Sequence, residues 1–114
     1  MMVFFRDFVS PTKKIGDLGT YGSLWRAGCM GIVTIDRTVS GTLSGWATLY
    51  EADLPGGASA AVACTSPLLV DSHPDAVMAA SVSGSKLSIA NRTSIAASFG
   101  DGARMRGCIA FPMA

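Results

Sequence analysis

The chain has 114 residues, a formal net charge of +1 and only 15% charged side chains, against about 25% in an average domain. That length fits one domain spanning 1–114, and the small net charge argues against a nucleic-acid binder that works by neutralising phosphates. Alanine, glycine, serine and threonine supply 50 of the 114 residues, and between positions 52 and 100 only Asp53, Asp71, Asp75, Lys86 and Arg92 are charged. With a mean hydropathy of +0.40, such a surface suits a subunit covered by its neighbours, because interface centres are depleted in charge. A monomer with a plain Ser/Thr surface is the alternative.

Residues 3–9 read as a first strand, with Phe4 and Phe8 on one face and Val3, Phe5 and Val9 on the other. Pro11 ends it, since proline cannot donate to a ladder. Lys13 and Lys14 then read as a solvated turn rather than an anion site. Residues 16–21, with Gly16 and Gly19, read as a loop or an irregular edge strand. Residues 23–26 lead toward a strong strand over 28–36, where Ile32, Val33, Thr34 and Ile35 are β-branched. Ser40-Gly41 and Ser44-Gly45 punctuate the chain, and residues 46–50 read as a short strand with Trp46, Thr48 and Tyr50 on one face.

Leu54-Pro55-Gly56-Gly57 is a turn signal. Ala60, Val62 and Cys64 alternate over a short strand, and residues 71–75 form a loop. The clearest pattern follows. Val82 and Leu87 flank Gly84-Ser85, a pair suited to a two-residue type II′ hairpin. That register sets Val82 against Leu87 and Ala80 against Ile89 on an apolar face, with Ser83 against Lys86 and Ser81 against Ser88 on a polar one. Ile95, Ala97 and Phe99 alternate next, and Gly100-Asp101-Gly102 reads as a turn. Met105, Gly107, Ile109 and Phe111 then alternate with Arg104, Arg106, Cys108 and Ala110 up to Pro112. Seven or eight short strands with turns every ~8–12 residues predict an all-β fold, an antiparallel β-sandwich or small barrel with little helix.

Catalytic and cofactor signals are weak. Cys29, Cys64 and Cys108 form no CxxC pair, so free, buried thiols in a reducing compartment are expected. Asp71, His73 and Asp75 are the only acid–histidine cluster, and Pro74 among them favours a rigid turn over a metal site. No serine elbow and no phosphate-binding glycine loop is present, so no catalytic residue, cofactor or metal is assigned. The uncharged stretch 54–70 is broken by Pro55, Gly56, Gly57 and Pro67 and is unsuited to a membrane helix. The residues expected at an interface or against a glycan are Trp25, Trp46 and Tyr50, with Tyr21 a further ring for a sugar platform or for core filling. Arg104 and Arg106 share one strand face, where they are solvated or meet acids of a neighbouring chain.

The layout resembles a loose group of short proteins associated with the tail tip and fibres of tailed bacteriophages. The resemblance rests on the aromatic opening Val3-Phe4-Phe5-Arg6-Asp7-Phe8, the middle segment from Gly28 to Ile35, and the closing strands 82–89 and 104–111. It implies a non-enzymatic β-sandwich component of the virion, often trimeric, docked on other virion proteins and near the host-contacting end. A capsid decoration protein and a carbohydrate- or receptor-binding module on host surface glycan are the alternatives. The start of the chain lacks a secretory pattern, so synthesis in a host cytoplasm followed by incorporation into the virion is expected.

Overall fold

The computed structural model describes residues 12–71 and 76–114; the strand expected over 3–9 and the His73 and Asp75 cluster lie outside them. Among the described residues, eight antiparallel strands form one sheet that curls into a nearly closed barrel. They are β1 (Lys13–Leu18), β2 (Gly22–Ala27), β3 (Met30–Leu43), β4 (Thr48–Asp53), β5 (Cys64–Val70), β6 (Met78–Ser83), β7 (Lys86–Asn91) and β8 (Ala97–Pro112). Their order across the sheet is β1-β2-β3-β8-β5-β6-β7-β4. Among the described residues the only helical piece is a 3-10 turn at Pro55–Gly57, as the Pro-Gly-Gly signal leads one to expect.

The β6–β7 hairpin has the expected register, including Val82 opposite Leu87 and Ser83 opposite Lys86. Gly84 takes φ +58°, the left-handed value that a II′ turn needs at its first central residue. Ala80, Val82, Leu87 and Ile89 are completely buried. The alternation at the end of β8 holds as well: Met105, Ile109 and Phe111 are buried, while Arg104, Arg106 and Ala110 face outward. These side chains meet Leu18, Leu24, Val33, Ile35 and Met78 in one core cluster.

Two strands are much longer than expected. β3 and β8 have 14 and 16 residues and pair from Met30–Pro112 to Leu43–Ala97. Gly100-Asp101-Gly102 is therefore not a turn. Gly41 (φ +83°) and Gly100 (φ +60°) face one another where the register shifts, and these bulges bend the ribbon so that Ala97 and Phe99 enter the core. Ser40-Gly41 likewise lies inside β3 and does not end it.

Other expectations are corrected. Lys13 and Lys14 begin an edge strand with a bulge rather than forming a turn. The strand expected over 60–64 is a single bridge between Ala60 and Met113, and β5 instead runs on through Pro67. Its ladder to β8 is limited to Leu69 and Val70, beyond the proline, which cannot donate. The cysteines are free, but Cys29 and Cys108 are exposed and Cys64 is partly so, because Cys108 falls on the outward face of β8 and Cys29 in the β2–β3 turn.

The edge strands β1 and β4 are not hydrogen-bonded to each other. Side chains close the seam between them: the Tyr21 and Tyr50 rings stack at 4.2 Å, and Gly16 lets Pro55 approach so closely that a β-carbon there would lie 2.7 Å from the proline Cβ.

Candidate contact surface around Trp46

Trp46 is not on a strand. It is the third residue of the turn 44–47, closed by a hydrogen bond from Ala47 N–H to Ser44 O (3.2 Å). Its φ is +62°, the only positive value at a non-glycine position among the described residues. Third place in such a type II turn normally belongs to glycine or asparagine, and a side chain there costs about 1–2 kcal/mol. The indole is nonetheless 65% exposed, so burial of the ring does not offset that cost.

Asn91, at the end of β7, over-determines the turn. It is the one fully buried polar side chain among the described residues. Its Nδ2 donates to Ser44 O (3.3 Å) and Ile95 O (2.7 Å), and its Oδ1 accepts from Thr93 N–H (3.0 Å) and Thr93 Oγ1 (2.6 Å). Its own N–H donates to Ala47 O (2.9 Å), and Trp46 N–H donates to Thr93 O (3.0 Å). A β-carbon at Gly45 would overlap the carbonyl of Ser94. Two loops are thus held against each other, and the strained tryptophan stands on the outer one. Exposed Ile95 and Val77 lie at the same end, tied in through the Ile95 carbonyl and through the bond from Arg92 N–H to Val77 O (2.8 Å).

The other rings do not join Trp46. Trp25 lies partly exposed on the outer face of β2, opposite Ile32, with its Nε1 donating to Thr34 Oγ1 (3.0 Å). Ile32 and Leu43 are eleven strand positions apart, which puts Trp25 on the order of 35 Å from the Trp46 turn. Tyr50 has one face against Tyr21, and the Arg37 guanidinium sits 4.3 Å above the Tyr21 ring. The two tyrosines therefore help to seal the seam.

Arg104 and Arg106 have partners in their own chain. Arg104 grips Asp36 with both Nε (2.8 Å) and Nη2 (2.6 Å), and Arg106 Nη2 reaches Asp71 at 3.2 Å. This removes the need for acids on a neighbour. The hydrogen bonds from Arg104 hold the Asp36 carboxyl below its ordinary value, and Asp36 in turn raises the Arg104 guanidinium. A carboxylate depressed in the folded state contributes stability above its unfolded pKa and loses it as pH falls through the folded value. The melting temperatures of wild type and Asp36→Asn are accordingly expected to converge as pH is lowered below about 4, with the wild type ahead at pH 7; thermal melts across that range check this.

No group of three residues suited to holding a metal occurs among the described residues. Sequence reading picked out Trp46 but not its turn, and it missed Asn91 and Ile95; the only local signal was Gly45 beside the aromatic. No protein-family model, no curated protein and no solved structure matches this chain.

Proposed function

We propose that this chain is a non-enzymatic structural subunit of a bacteriophage virion, in the tail, tail tip or fibre, acting by self-association and by docking on neighbouring virion proteins. The observation that carries the docking role is Trp46, an exposed aromatic held at φ +62°. Backbone strain persists where surrounding structure enforces it, and it concentrates at functional positions. Aromatic rings are also the most frequent anchors of protein interfaces. The low charge of the chain supports burial against partners, and the likeness of its strand pattern to tail-tip and fibre proteins supports the virion setting. A homotrimer is the favoured assembly.

The test compares the wild type with Trp46→Gly. Glycine relieves the strained φ, so the variant should be more stable by about 1 kcal/mol while losing the anchor. Light scattering should give the wild type about three times the 11.7 kDa of one copy and give the variant a smaller mass. A wild type that stays monomeric at high concentration, and whose Trp46 binds a glycan on an array, would replace this reading with a carbohydrate-binding module.

A further inference from the structure

At the end of the barrel opposite Trp46 is an open cavity of about 320 Å³, lined by Lys13, Lys14, Ile15, Arg26, the 56–59 main chain, Met113 and Ala114. Three basic side chains line it, together with the main chain of Ala114, the last residue of the sequence. Lys13 and Arg26 are direct cross-strand partners on β1 and β2, so their side chains leave the same face of the sheet. That face is the inner one: Leu24, two residues before Arg26, is fully buried, and Gly31, opposite Arg26, abuts the Phe111 ring. Two cations therefore stand together over the mouth of the barrel, just past the last layer of the core.

Like charges directly opposite on a sheet repel. Lys14 is neutralised by Asp17 at 2.8 Å, but among the described residues neither Lys13 nor Arg26 has a carboxylate partner. Arg26 is also held in place, its Nε donating to Gly28 O (2.9 Å). The Arg26 guanidinium, a second cation beside it and a cavity with room for about ten waters together suit an anionic ligand.

We propose that this mouth binds a small oxyanion, of the phosphate or carboxylate class, between Lys13 and Arg26. The guanidinium offers two parallel donors to such a group and the lysine adds a point charge. Ile15 and Met113 supply an apolar wall for whatever carries the anion. The site is independent of the Trp46 surface and stands or falls separately from it.

The test is an amide NMR titration of the full chain with inorganic phosphate, with glucuronate and with neutral glucose. Saturable shifts at Gly56, Gly57 and Ser59 with phosphate or glucuronate, and none with glucose, support the proposal. Whichever anion saturates at lower concentration identifies the source as a phosphate or an acidic sugar. The double variant Lys13→Gln/Arg26→Gln should weaken binding by about tenfold or more, whereas Arg92→Gln at the far end should not. Removing the repulsion should also leave the unliganded double variant with an unchanged or higher melting temperature, so loss of binding cannot be blamed on unfolding. Shifts that rise without saturation, that persist in the double variant or that match those with glucose would overturn the proposal, leaving an adventitious ion only.

Discussion

Asn91→Ala is expected to lower stability by about 3–4 kcal/mol, which corresponds to a fall in Tm on the order of 15 °C or more. The side chain is completely buried, and its amide makes four hydrogen bonds, two donated and two accepted. Alanine deletes all four: the N–H of Thr93 loses its acceptor, while Ser44 O keeps only the bond from Ala47 N–H and Ile95 O only the one from Thr93 Oγ1. The orphaned N–H costs about 1–3 kcal/mol, and the lost bonds to the two carbonyls, each of which keeps one donor, add about 0.5–1.5 kcal/mol apiece. Asn91→Asp tests the chemistry at constant shape. A carboxylate cannot donate to the two carbonyls and brings an unpaired charge into the interior, so it should destabilise at least as much. Denaturant unfolding measures both variants. In either one the Trp46 turn loses its clamp, so the 44–47 and 92–95 amides should also exchange faster than in the wild type. An alanine variant within 1 kcal/mol of wild type would refute the clamp.

Gly22→Ala should cost about 3 kcal/mol through a different cause. The β-carbon would overlap the main-chain carbonyl of Thr34 on the neighbouring strand, and a backbone atom cannot rotate away as a side chain can. Gly22 pairs with Leu18 on one side and Ile35 on the other, so relief requires β2 to lift from β3 and carry β1 with it. Gly28→Ala is the comparison. Gly28 has φ +62° but nothing within 4 Å of the added carbon, so only the backbone preference is lost, about 1 kcal/mol. Equilibrium unfolding should rank Gly22→Ala well below Gly28→Ala; equal losses would mean that the contact with Thr34 relaxes freely.

The sequence made the fold class legible wherever two signals agreed. In the β6–β7 hairpin the turn chemistry of Gly84-Ser85 and the apolar alternation allow only one register, and the structure has it. Glycine by itself was ambiguous. At Gly100 the same positive φ that a turn would use serves a bulge inside a continuous strand, and local sequence does not separate the two. Pro67 hid β5, because a proline reads as a strand terminator until the pairing of its neighbours is known. The candidate site was legible in one residue only. Alternation put Trp46 in line with Thr48 and Tyr50, since nothing local announces an aromatic in left-handed backbone. Its support comes from Asn91 and Thr93, more than forty positions away, and long-range hydrogen bonds leave no periodic trace.

The position of β8 in the sheet bears on how the protein is made. It is the last of the described strands in chain order yet sits in the middle of the sheet, with β3 on one side and β5 on the other. Its long ladder to β3 joins residues on opposite sides of the whole intervening sequence. During synthesis β1 to β7 leave the ribosome before β8, which joins β3 to β5, so β3 waits with an unfilled edge. Closing so large a loop is slow, and in that interval the unfilled edge of β3 is open to a strand of another copy. A nascent chain of this kind is exposed to strand exchange while it is being translated, and its yield should depend on the rate at which the final sixteen-residue strand is delivered.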